Sequence, residues 1–303
     1  MLTTITGMNK LTTAERAQIL TALVEGMSMS ATARLFKVSK ITILRLLADA
    51  GTLAAQFHDL TVRDLATKRA QLDEIWSFVH SKEKHVRDEN CAKGYGDNWT
   101  WVAIDSDSKL VVNWLVGGRD AGHAWVFVND LAARVKGRMQ ITTDGLPAYR
   151  QVVEGVFGDN VDYAVVVKEY AAIREGYARY SPPRCIGVEK HAVCGAPLER
   201  DASTSFVERQ NLTMRMSMRR FTRLTNGFSK KPENHKHAIA LHYFHYNFIR
   251  KHQTIKTTPA VMAGVADKVW TMDDFVVMME REEALLGGRL TDYKPAASKK
   301  RKD

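Results

Sequence analysis

A chain of 303 residues with a formal net charge of +10 and 45% hydrophobic residues can bury the core of one to three domains, and its charge favours a polyanionic partner, nucleic acid ahead of a membrane surface. No apolar run reaches the roughly 18 residues that a membrane span needs, and the opening MLTTITGMNK lacks the apolar stretch of a secretory signal. The three cysteines, Cys91, Cys185 and Cys194, are odd in number and form no CxxC, which argues against a disulfide framework and fits reduced cytosolic thiols.

Met8 offers a second start, because a capped helix pattern begins soon after it. Residues 11–50 read as helical. Thr12 and Glu15 make a capping box ahead of the apolar set Ile19, Leu20, Leu23 and Val24, and Gly26 ends that helix. A short helix follows near Ser30 to Phe36. A third is capped by Ser39, with Ile41, Leu44 and Leu47 inward and Lys40, Thr42 and Arg45 outward. This is a helix-turn-helix outline, with Lys37 where the tight turn often carries glycine; the plainer alternative is any small three-helix domain. The expected divisions are a DNA-binding domain over 1–55, a linker helix over 56–70, a catalytic domain over 71–255 and a last helix with a basic tail over 256–303.

From Leu72 the period changes. LDEIWSFVH (72–80) reads as a strand, and NWTWVAID (98–105) with KLVVNWLVG (109–117) as a hairpin. A helix over 123–135, a strand over 139–144, a helix from Pro147 and a strand over 162–168 follow. Residues 170–202, rich in Gly, Pro and Tyr, read as an inserted loop. Helices are expected over 203–223, 234–252 and 272–286, and SKKRKD as a solvated basic end. The fold class is therefore α/β: a mixed five-stranded sheet with flanking helices in the ribonuclease H-like order, preceded by an all-α helix-turn-helix domain. A zinc shared by Cys185, His191 and Cys194 fits the spacing poorly, against the reading of unpaired loop thiols.

In that fold the first and fourth strands are neighbours. Asp73 lies in the first strand, Asp144 at the carboxyl end of the fourth, and Glu208 on the helix after the fifth, so three acids can converge. Phosphodiester chemistry wants such a set: two divalent ions about 3.5–4 Å apart activate an oxygen nucleophile and neutralise the leaving oxygen. Mg²⁺ (or Mn²⁺), two ions per site, takes carboxylate oxygens. Each acid has a plainer role. Asp144-Gly145 is a turn pair, Ser205 with Glu208 a capping box, and Asp73 a strand-end acid with Glu74 as the functional neighbour. Asp105, Asp107 and Asp201 are assigned structural roles.

Within 203–223, Val207, Met214, Met218 and Phe221 form an apolar stripe, while Glu208, Asn211, Arg215 and Arg219 share the adjacent face. Arg220, Arg223, Lys230 and Lys231 extend the charge, fit to hold phosphates of double-stranded DNA beside the acids; a solvated basic face is the alternative.

LDEIWSFV, the TTDG-x-x-AY stretch from Thr142 to Tyr149, and above all SFVERQNLTMRM with RRFTRLTN and the following FSKK, NH, YNF and TPA resemble the transposases of the insertion-sequence-one family of bacterial mobile elements. The resemblance covers nearly the whole chain. It implies a DDE-type transposase with divalent metal at Asp73, Asp144 and Glu208, acting on terminal inverted repeats as a dimer or larger assembly on DNA. Some members begin with a cysteine-rich zinc finger; this chain has none, which leaves repeat recognition to the helix-turn-helix. The rival readings are a non-enzymatic DNA-binding regulator and a ribonuclease H-like nuclease without strand transfer.

Overall fold

The computed structural model describes residues 10–87, 93–171, 184–222 and 225–292. Met8, Cys91, Arg223, residues 172–183 of the expected insertion and the SKKRKD tail lie outside the described residues. The chain forms two units: one of residues 1–61, 79–96 and 214–303, the other of 62–78 and 97–213.

The first unit is helical. Helix α1 (Thr13–Val24) opens with the expected capping box, Thr12 Oγ1 accepting from Glu15 N and the Glu15 carboxylate accepting from Thr12 N. Gly26 closes it at φ +89°. Ser28 caps α2 (Met29–Leu35). Lys37 takes φ +54° in the next turn, the left-handed conformation for which glycine would be the easier residue. Ser39 Oγ then accepts from Thr42 N at 3.0 Å, and α3 runs unbroken over Lys40–Thr61. The expected division at 55/56 therefore falls inside a helix.

The inward stripe of α3 also differs from expectation. Ile43, Leu46 and Leu47 are buried, while Ile41 and Leu44 are half-buried. The cause is α7 (Pro232–Phe244), against which α3 packs with Gly51 at the close approach. A Cβ on Gly51 would lie 2.5 Å from His237 Cα, so only glycine allows the two backbones this close. Phe57 of α3 meets the rings of Phe244, Phe248 and Trp270 edge-on, and Phe244 also touches Phe275 of α9 (Met272–Leu285). A short helix, α8 (Pro259–Met262), precedes α9. The helix expected over 234–252 stops at Phe244 and continues as a π-type turn over His245–Ile249.

The second unit is built on a mixed six-stranded sheet of order β3-β2-β1-β4-β5-β6. Its strands are β1 (Arg69–Val79), β2 (Gly96–Asp105), β3 (Val111–Gly117), β4 (Met139–Thr143), β5 (Val161–Tyr170) and β6 (Cys185–Cys194). β1, β4 and β5 are parallel; β2 with β3, and β5 with β6, are antiparallel. Helices α4 (Ala121–Ala132) and α5 (Pro147–Phe157) flank the sheet, and α6 (Ser205–Ser217) follows it. This mixed α/β order is compatible with the ribonuclease H-like expectation.

The sixth strand corrects the five-strand reading, because β6 lies inside the expected inserted loop. It is an edge strand with most residues exposed, so CIGVEKHAVC has no apolar alternation to betray it. Cys185, His191 and Cys194 are spread along it. Asp105, Asp107 and Asp201 act structurally. Asp105 accepts from Asp107 N and Ser108 Oγ, and Arg69 bridges Asp107 and Asp201. No described helix is long and apolar enough to cross a membrane.

Candidate metal centre

The parallel register of β1 and β4 builds the centre. Arg69 pairs with Gln140, Ala70 with Ile141 and Gln71 with Thr142. Continuing that offset by two residues puts Asp73 beside Asp144, at the usual strand spacing of about 4.8 Å. Asp144 stands one residue past the end of β4, where its Oδ1 accepts from Leu146 N at 2.9 Å. The Asp-Gly turn role and the convergence with Asp73 thus hold together.

Pleat alternation would send Glu74 away from Asp73. Here β4 has ended at Thr143, and Asp73, Glu74 and Asp144 each bring one carboxylate oxygen into a group whose members all lie within 4.8 Å of one another. Among the described residues no other group of His, Cys, Asp or Glu closes in this way.

The centre is electrostatically strained. Burial, then the Glu74 charge, with smaller contributions from Asp144 and Glu208, pushes the Asp73 pKa up to about 7. Burial likewise raises Glu74, offset in part by Tyr149 and Arg119. Asp73 is held on both oxygens: Oδ1 accepts from Glu74 N at 2.8 Å and Oδ2 from Asn211 Nδ2 at 2.9 Å.

Glu74 is anchored on one side only. Arg119 Nε donates to its Oε2 at 3.0 Å, and the same guanidinium stacks on Trp99. Glu74 Oε1 is buried with no hydrogen-bond partner among the described residues. The hydroxyl of Tyr149, a fully buried residue of α5 wedged against Trp101, lies beside this carboxylate and feels its charge. Among the described residues neither Glu74 Oε1 nor Tyr149 Oη has a fully formed hydrogen bond, although the hydroxyl lies close enough to favour the charged carboxylate.

Glu208 does not join the group of three. It sits in the first turn of α6, its side chain 45% exposed, ion-paired with Lys168 of β5 and accepting from Thr204 Oγ1 at 2.6 Å. Its partner is Thr204 rather than the expected Ser205. Gln71 of β1 fixes this turn, its Oε1 accepting from Phe206 N and Val207 N. Asn211, one turn further on, makes the direct contact to Asp73. Three clustered carboxylates with an orphaned buried oxygen suit a hard divalent cation.

The basic residues lie in the other unit. Helix α6 ends at Ser217 because Met218 turns extended (φ −118°, ψ 109°), so Arg219 and Arg220 fall in a 3₁₀ turn over Arg219–Phe221, not on the expected helix face. Met218 and Phe221 stay buried with Val207 and Met214, as the apolar stripe requires. Arg215 is half-buried on the last turn. Lys40 and Arg45 are exposed on α3, and Thr42 is half-buried with its hydroxyl 2.8 Å from that of Ser39. Lys230 covers the Phe228 ring, and Lys231 directly precedes α7. Lys40, Arg219, Arg220 and Lys230 line one cavity of about 370 Å³, so two cationic stretches far apart in sequence meet inside one unit.

Asn211, Arg119, Tyr149, Lys168 and Gln71 also shape the site and lie outside the acids and basic residues that the sequence points to. Tyr149 lies in the TTDG-x-x-AY stretch and Asn211 on the Glu208 face; nothing local marks the others.

No family model matches the sequence, and no curated protein matches it. Similar solved structures include a piggyBac transposase synaptic complex with hairpin DNA, at 13% identity over 88% of this chain and 69% of that one, with a TM-score of 0.36. A Mos1 transposase paired-end complex with the left transposon end matches at 12% identity over 51% of this chain and 59% of that one, with a TM-score of 0.23. A Mos1 strand transfer complex matches at 12% identity over 78% and 76%, with a TM-score of 0.23.

Proposed function

We propose that this protein is a DDE-type DNA transposase of the insertion-sequence-one kind, a bacterial cytoplasmic enzyme that cuts and joins DNA at the terminal inverted repeats of its element. The observation that carries the reading is the β1–β4 register, which brings Asp73 and Asp144 together from positions remote in the chain. Glu208, on the helix that also carries the Asn211 contact to Asp73, supplies the third acid.

Divalent ions, Mg²⁺ or Mn²⁺, supply charge neutralisation at the phosphate and an activated oxygen nucleophile when bound. The chain's own residues do the rest. Asp73 and Asp144 bind and orient, and Glu208 completes the set after leaving Lys168. Water attacks the phosphodiester at the element end, and the 3′-hydroxyl leaves. That hydroxyl then attacks a phosphodiester of target DNA in the same in-line manner, forming a new 3′–5′ bond as the target strand's own 3′-hydroxyl leaves. The helix-turn-helix α1–α3, with Lys40, Thr42 and Arg45, reads the repeats, while Arg215, Arg219, Arg220, Arg223, Lys230 and Lys231 hold phosphates. Two ends must be held at once, so the working form is a dimer or larger.

The test is a supercoiled donor plasmid carrying the flanking repeats, incubated with Mg²⁺. Strand cleavage and joining are expected, and both vanish in Asp144→Asn. Cleavage without joined products would point instead to a nuclease. An Asp144→Asn protein as active as the parent would overturn the assignment.

A further inference from the structure

We propose that Glu74 is a ligand of the first divalent ion, together with Asp73 and Asp144, and that Glu208 is not needed for that ion. The proposal rests on the metal-dependent reading above and goes beyond it in naming the ligand set.

Two observations besides the acidic cluster carry it. Glu74 is buried, with a side-chain exposure of 1%, yet among the described residues its Oε1 has no hydrogen-bond partner. Tyr149 Oη, with no exposure at all, likewise lacks a fully formed hydrogen bond among the described residues and adjoins the same carboxylate. A buried carboxylate oxygen left unsatisfied is costly unless something occupies its lone pairs. The rest of Glu74 is well fixed by the Arg119 bond and the Arg119–Trp99 stack, so its free oxygen is held in the group with Asp73 and Asp144. Glu208, by contrast, has a cation already in Lys168 and a hydroxyl in Thr204, and stands outside the group. Arg119 and Tyr149 are then positioning residues for the Glu74 carboxylate.

The experiment is Mn²⁺ titration of the full chain without DNA, by calorimetry and by Mn²⁺-dependent melting temperature. Glu74→Gln and Asp144→Asn are each expected to weaken the first ion at least about tenfold, and Glu208→Gln to change it less than about threefold. If Glu74→Gln binds like the parent while Asp144→Asn does not, the proposal fails and the metal-dependent reading stands. If Asp144→Asn also binds like the parent, that reading itself fails. Should Glu74→Gln not fold, Glu74→Asp decides: it keeps the charge but withdraws the oxygen by one carbon. It loses Mn²⁺ affinity only if that oxygen is a ligand, and unchanged affinity overturns the proposal.

Discussion

Asn211 donates its Nδ2–H to Asp73 Oδ2 across 2.9 Å, joining α6 to the strand that carries the first acid. A donor on a carboxylate favours its charged form. Replacing Asn211 by Leu removes that support, and the Asp73 pKa rises further. The acidic limb of the cleavage pH profile is expected to move to higher pH, with activity at neutral pH down about tenfold. A profile that merely scales down without shifting would assign Asn211 to packing alone.

Metal affinity itself should depend on pH. Asp73, raised to about 7 chiefly by burial, is largely protonated below that value, and an incoming ion must displace the proton. The Mn²⁺ affinity of the parent protein is therefore expected to fall as pH drops from about 8 to about 6, with proton release seen in buffers of different ionisation enthalpy. Asp73→Asn should bind weakly at both ends of the range, with no slope between them.

Lys168 is a built-in counter-ion for Glu208. The pair is partly exposed, 23% on the lysine and 45% on the glutamate, and a pair of that kind is worth at most about 1 kcal/mol. Lys168→Met is expected to tighten the second Mn²⁺ ion by no more than about fivefold and to leave the first unchanged. Calorimetry resolves the two. A large loss at the first ion would show that Lys168 shapes the whole centre.

The helical unit carries a separate pH sensitivity. His242 is buried on α7 with neither ring nitrogen partnered among the described residues, and burial pushes its pKa down to about 3. Its folded-state pKa lies below the ordinary value of about 6.5, so stability is full above 6.5 and is lost as pH falls from there towards 3. His235 shifts in the same direction for the same cause. His242→Leu is expected to flatten the acid limb of the melting curve, measured between about pH 6 and pH 4. If acid lability is unchanged, protonation of other groups drives it.

Helix caps, strand alternation and element order are local signals, and they were legible: the Thr12–Glu15 box, the β2–β3 hairpin, and the placing of Asp73 on β1 with Asp144 just past the end of the neighbouring parallel strand. What periodicity does not encode is which side chains meet across elements. β6 escaped because an edge strand exposed on most of its length has no apolar pattern. The Lys168–Glu208 pair, the Arg119 anchor on Glu74, the Asn211 contact, the Gly51 approach of α3 to α7 and the division into two units were decided only by tertiary structure. Each of them depends on distances between residues far apart in the chain, and those distances exist only once the sheet and helices have packed.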